Sequence, residues 1–218
     1  SNAPDQIQLF RFGLTPFWAK KPMYLFNARS EGDRNKTNDP DYNGSKDIIN
    51  KPAFRKPIRS QRCLVPADAF IEGTTDEGLK KPYVVYLRNK VRPFAFAGIW
   101  DQWEDKQENK TILSFSIITT TANTLLKKLP HHRSPVILNR SDELRWLNKD
   151  TPLSYITQML KPYNADLMNA YPINSKISHP RANGRELINP AGPPIETDDQ
   201  FQVGHHIEKK GFGRRKIR

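Results

Sequence analysis

Apolar and polar positions alternate most clearly in the middle of the chain. Cys63-Leu64-Val65-Pro66 is an apolar run that stops at proline, and Ala67 to Glu72 continues it as a strand or tight turn into Gly73. Tyr83–Leu87, Phe94–Trp100 and Thr111–Thr119 are rich in β-branched and aromatic residues and read as three more strands. The charged link from Glu104 to Lys110 has the composition of a hairpin tip. Such a succession of adjacent strands predicts a strongly curved antiparallel sheet. Upstream, Gln8–Phe12 reads as a short strand broken by Gly13 and Pro16, and Met23–Phe26 as the next one. Residues 32–45 are turn formers and charges throughout and predict a surface loop. Asp47–Arg55 suits a short helix, interrupted at Pro52. Downstream the period changes. Thr121–Leu126 begins a short helix, Ser141 caps a helix carrying Leu144 and Leu147, and Pro152 starts another with Leu153, Ile156 and Leu160. Met168–Ile173 and Lys176-Ile177 read as late strands.

Composition narrows the partners. The 218 residues carry 35 Lys+Arg against 23 Asp+Glu, a formal charge of +12, which favours polyanions, nucleic acid first. A single cysteine, Cys63, excludes an internal disulfide framework and fits a reducing compartment. No apolar run reaches the length of a membrane span, and no signal peptide is visible. After Glu208 the chain is a basic tail with no acid, expected to be disordered when free.

Candidate chemistry gathers where apolar runs end. Phe17 and Trp18 stand beside Lys20 and Lys21, and Asn27 and Arg29 follow the run Met23–Phe26. Aromatic faces stack bases and arginine forks phosphate, so this stretch can serve as a platform for a nucleotide. Glu72 follows Phe70-Ile71, where desolvation would raise its pKa towards general-acid use. Thr119 and Thr120 follow Ser116-Ile117-Ile118, and His131 and His132 precede Arg133. Taken singly, each of these residues also admits a purely structural role. Cys63 is the obvious thiol nucleophile, but its apolar neighbours predict a buried, inert group. His179, His205 and His206 lack the company of a metal set, so no metal and no cofactor are expected.

Several blocks, in order, resemble the SOS response-associated peptidase (SRAP) family. They are Phe12-Gly-Leu-Thr-Pro-Phe-Trp-Ala-Lys20, Asn27-Ala-Arg-Ser-Glu31, Lys51-Pro-Ala-Phe-Arg55, and Arg62-Cys-Leu-Val-Pro-Ala-Asp-Ala-Phe-Ile-Glu72. Phe96-Ala-Gly-Ile-Trp100, Ile117-Ile-Thr-Thr120 and His131-His-Arg-Ser-Pro-Val-Ile-Leu138 complete the set, which spans about Leu9 to Pro190. The resemblance implies an α+β fold: a single domain on a distorted, mainly antiparallel β-barrel with peripheral short helices, here residues 1–195. Residues 32–45 would be a surface insertion and 196–218 a basic tail. It further implies a monomer that binds single-stranded DNA and crosslinks to abasic sites in the bacterial cytoplasm. The nucleophile is a cysteine at the N-terminus, exposed by autoproteolytic removal of the initiator Met, which forms a thiazolidine. Carried over by position, Asn27, Glu72 and His131 are the catalytic residues. Phe17, Trp18, Arg29 and Thr119, or Thr120 with a one-residue shift, are the DNA-binding ones.

The sequence departs from the family pattern in four ways. The N-terminal cysteine segment is absent, and missing residues before Leu9 are expected. His132 replaces an Asp, Gly73 replaces a Trp, and Phe12 replaces a Trp, with residues 32–45 added. Two rival readings stand beside this one: a non-covalent single-stranded nucleic-acid-binding module, and a cysteine peptidase using Cys63.

Overall fold

In the computed structural model, the described residues are 6–88 and 91–197. The basic tail beyond residue 197, with His205 and His206, lies outside them. Nine strands form: β1 (Arg11–Phe12), β2 (Asn27–Arg29), β3 (Arg62–Ala67), β4 (Ala69–Thr74), β5 (Gly78–Leu87), β6 (Phe94–Asp105), β7 (Lys110–Thr121), β8 (Arg133–Pro135) and β9 (Met168–Pro172). Four short α-helices accompany them: α1 (Pro57–Ser60), α2 (Thr124–Lys128), α3 (Arg140–Leu147) and α4 (Leu153–Gln158). The class is α+β, as expected, and the main sheet is strongly curled.

The chain divides into two compact units, one from Ser1–Ala67 with Pro93–Asn164 and the other from Asp68–Arg92 with Ala165–Arg218. The first holds a six-stranded sheet centred on β7. β7 pairs antiparallel with β6 and β8, and parallel with β1 and β2. β-Branched and aromatic residues along β7 suit this central place, and its last four residues, 118–121, are buried in succession. The core of this unit includes Leu14, Ala28, Ile58, Ile99, Ile118, Val136 and Trp146. Arg62 is buried in it, and its guanidinium donates to the carbonyls of Ile58, Arg59, Trp146 and Asn148 at 2.6–2.9 Å. That one side chain ties β3 to the ends of α1 and α3, and it satisfies carbonyls that helix ends leave open. In the second unit β5 lies between β4 and β9, all antiparallel, over Val84, Tyr86, Tyr171 and Ile173.

Four local expectations need correction. Met23–Phe26 is not a strand. Leu25 makes an isolated bridge to Leu14 while Tyr24 and Phe26 face solvent, and the strand starts at Asn27. Lys176-Ile177 lies in a 3₁₀ turn, Ser175–Ser178, where the Asn174 side chain accepts from the Lys176 N–H. The helix of residue 141 starts at Arg140, with Asn139 as its N-cap. The helix expected over 47–55 is a 3₁₀ turn, Asp47–Asn50, and proline restarts the chain as α1.

Candidate functional site

Of the candidate residues of the first unit, Asn27 and Arg29 lie on β2, Thr119 and Thr120 on β7, and His131 just before β8. Asn27, Ala28 and Arg29 pair with Ile117, Ile118 and Thr119. Alternation along β2 buries Ala28 in the core and leaves Asn27 and Arg29 exposed. Across from β8, Thr119 faces Pro135, Thr120 faces Ser134, and Thr121 faces Arg133. His131 and His132 immediately precede β8 and stack on each other, with ring centroids 5.4 Å apart. Their backbone is fixed: the His131 N–H donates to Leu126 O at 3.0 Å, and Ala122 N–H donates to His132 O at 3.2 Å. Burial lowers the pKa of His132, and the Arg133 and Arg29 charges lower it further.

Behind these exposed groups lies a buried ionic network. The Arg133 Nη2 donates to Glu31 Oε2 at 2.9 Å and to Thr119 Oγ1 at 3.0 Å. Thr120 Oγ1 donates to Glu31 Oε1 at 3.2 Å. The Glu31 side chain is fully buried and that of Arg133 only 11% exposed. Burial pushes the Glu31 carboxyl up, but the Arg133 charge, a backbone N–H and the Arg133 hydrogen bond outweigh it, and the net shift is downward. The two threonines therefore differ. Thr119 sits in register with Arg29 and bonds Arg133, whereas Thr120 is wholly buried against Glu31.

The Phe17-Trp18 corner is half-exposed, at 53% and 47%, as an aromatic platform requires. Buried groups hold it rigidly. The Phe17 N–H donates to Asp101 Oδ2 at 2.9 Å, and Trp103 Nε1 donates to Ala19 O at 2.6 Å. The Lys56 ammonium lies 4.4 Å from the centroid of Phe17, a cation–π contact that adds positive charge beside the exposed ring.

Glu72 belongs to β4 in the second unit, where it pairs with Tyr83. Burial raises its pKa to about 7, against the pull of the Gly73 N–H. A carboxyl that titrates there can both give and take a proton near neutrality. Gly73 occupies a register shift between Gly73 and Thr74, and a Cβ there would stand 2.2 Å from Gly78 O. The backbone itself thus demands glycine where the family pattern has Trp.

Cys63 lies on β3 opposite Gly98, and burial pushes its thiol up to about 12. At neutral pH it holds almost no thiolate, so it is a poor nucleophile or metal ligand. Among the described residues, no group of three or more His, Cys, Asp or Glu gathers as a metal site. No helix among them is long and apolar enough to cross a membrane.

Sequence reasoning gave Glu31 and Arg133 no role of their own. Both stand inside recognisable blocks, but they are 102 residues apart and nothing in one sequence pairs them.

The chain matches the family described as SOS response associated peptidase (SRAP) over residues 1–180. It is 38% identical over 189 residues to the Bacillus subtilis abasic site processing protein YoqW, covering 84% of this chain and 76% of that one. It is 26% identical over 201 residues to the chicken abasic site processing protein HMCES, covering 83% of this chain and 56% of the relative. A crystal structure of a Bacteroides thetaiotaomicron protein superposes with a TM-score of 0.71 at 31% identity, covering 84% of this chain and 76% of that one. This chain belongs to the SOS response-associated peptidase family.

Proposed function

We propose that this protein binds single-stranded DNA and processes abasic sites in it by forming a covalent crosslink. The observation that carries the reading is the buried Glu31–Arg133–Thr119 network behind the solvent-facing Asn27 and Arg29. The Glu31–Arg133 pair is charge-balanced and fixes the strand ends, so the exposed Arg29 supplies the positive charge with which a strand and its sugar can be gripped, and relatives of this chain are named abasic site processing proteins. Phe17 and Trp18 offer faces for stacking bases, worth about 1–3 kcal/mol each. Arg29 supplies a fork for a phosphate.

In this reading the crosslink is made by an N-terminal cysteine that would precede Ser1. An α-amine has a pKa of about 8, so part of it is neutral at physiological pH. It attacks the ring-opened sugar aldehyde; a C–N bond forms and water leaves, giving an imine. The thiolate then adds to the imine carbon and the nitrogen takes up a proton, closing a thiazolidine. Asn27 orients the cysteine, His131 hydrogen-bonds the sugar oxygen as the ring opens, and Glu72 moves the protons of dehydration and closure. The same groups would remove the initiator Met. The elevated pKa of Glu72 suits that proton traffic, while the unreactive thiol of Cys63 speaks against a peptidase built on it.

The test is a heat-stable adduct between abasic single-stranded DNA and a full-length chain beginning with cysteine. Replacing that cysteine by alanine should abolish the adduct, Cys63→Ala should leave it, and Glu72→Gln should slow it at least tenfold. An adduct that survives the first change and disappears with the second would overturn the reading.

A further inference from the structure

Asp101 is a buried carboxylate that neither the sequence motifs nor the proposed reaction uses. It lies on β6, one residue past the block that ends at Trp100, and only 1% of it meets solvent. Alternation along the strand puts it on the same face as Ile99 and Trp103, both buried and apolar. Another apolar side chain would fill that place at less cost, because a carboxylate out of water must be met by donors at both oxygens. Three N–H groups meet this one. Oδ1 accepts from the Gln61 side-chain amide at 3.1 Å and from the Gln102 N–H at 2.9 Å, and Oδ2 accepts from the Phe17 N–H at 2.9 Å. The Oδ2 bond is the one that reaches the aromatic corner. Phe17 is half-exposed, so core packing alone does not fix its ring, and the backbone that carries it must be held. Asp101 holds it at Phe17, and Trp103, two residues on along β6, holds it at Ala19. The other ties are local or long: the Ala19 N–H closes a turn on Pro16 O at 2.9 Å, and the Trp18 indole N–H reaches Pro52 O at 3.4 Å on the surface. A hydrogen bond to an ionised acceptor is about twice as strong as one between neutral groups.

We infer that Asp101 is a positioning residue of the Phe17–Trp18 platform, fixing the corner in place before a strand's bases stack on it. The inference rests on the DNA-binding reading above and deepens it by naming what holds the platform still. A platform that must be ordered on binding gives back part of its stacking energy as lost conformational freedom, whereas one already held does not. The role concerns bases and not phosphates. It is therefore read by the base content of an oligonucleotide at constant charge.

The experiment compares two fluorescent oligonucleotides by anisotropy: oligothymidylate, and a strand with the same number of phosphates in which tetrahydrofuran sugars carry no bases. Wild type should prefer the base-bearing strand by at least about fivefold, the lower end for one stacked base. Asp101→Asn keeps the shape of the side chain but leaves one acceptor oxygen in place of two. That oxygen turns to the two donors, Gln61 and Gln102, and the new amide nitrogen opposes the Phe17 N–H. The variant's preference should fall below about twofold while it binds the base-free strand as wild type does. Its Phe17 amide should exchange with solvent at least about tenfold faster, as loss of a hydrogen bond to a charged group implies. A purely structural defect weakens binding of both strands alike. That result, or an unchanged preference, overturns the inference and leaves the DNA reading standing. Equal binding of both strands by wild type shows that the corner stacks no base, and overturns the inference without touching strand binding. Binding of neither strand by wild type overturns the DNA reading, and Asp101 with it. Hydrogen exchange of wild type gives a check that needs no variant to fold: a Phe17 amide exchanging at the rate of an unstructured chain overturns the inference.

Discussion

At the scale of single residues, Glu31 matters more than its place in a motif suggests. Its carboxylate accepts from both Arg133 and Thr120 and has no solvent to fall back on. Removing one partner of a buried pair leaves the other charge uncompensated, at a cost of about 3–5 kcal/mol. Glu31→Gln should therefore lower unfolding free energy by about that amount. Asn27, exposed on β2, has no comparable structural debt. Asn27→Ala should cost under about 1 kcal/mol, as most surface substitutions do, while reducing adduct formation. Urea titrations of both variants read the contrast directly. A wild-type midpoint for Glu31→Gln would mean that the Arg133 pair contributes nothing net.

At the scale of elements, the β4–β5 hairpin shows what a sequence hides. Gly73 is followed by a register shift, and its missing Cβ makes room for the Gly78 carbonyl. A backbone atom at 2.2 Å cannot swing aside as a side-chain tip can. Gly73→Ala should therefore force the hairpin apart and lower the melting temperature by several degrees, whereas Gly78→Asn, at a positive φ with open space, should be tolerated. Equal melting temperatures for Gly73→Ala and wild type would refute the close approach. The long strands β5, β6 and β7 were legible because β-branched and aromatic residues fill them over many positions. Elements set by non-local pairing were not. The apolar run Met23–Phe26 looked like a strand, yet the strand is Asn27–Arg29, because the partner that decides it is β7, some ninety residues away. Lys176-Ile177 has strand composition, but the Asn174 side chain offers its backbone a local alternative. The exposed Phe17 and Trp18 were legible from the proline corner and its lysines. Glu31 with Arg133 was not, for the same reason as β2: the pairing is tertiary.

At the scale of the whole molecule, two carboxyls make stability depend on pH in opposite senses. Glu72 has a folded pKa raised from 4.5 to about 7 by burial. The unfolded chain releases that proton first as pH rises, so the folded state loses stability between about pH 4.5 and pH 7, and the loss levels off above the folded pKa. Glu31 has a lowered folded pKa, chiefly because Arg133 overcomes the effect of burial. Its contribution is present above the unfolded value and disappears as pH falls through the folded one. These two carboxyls thus contribute an acid limb from Glu31 and a neutral limb from Glu72. Glu72→Gln should remove the neutral limb, so that this variant gains relative to wild type at pH 7.5 and shows no such gain at pH 4.5. Denaturant midpoints at the two pH values measure the difference. If wild type and Glu72→Gln lose stability in parallel over that interval, the carboxyl is ionised at an ordinary pKa in the folded state, and Glu72 cannot hold the proton its proposed role requires.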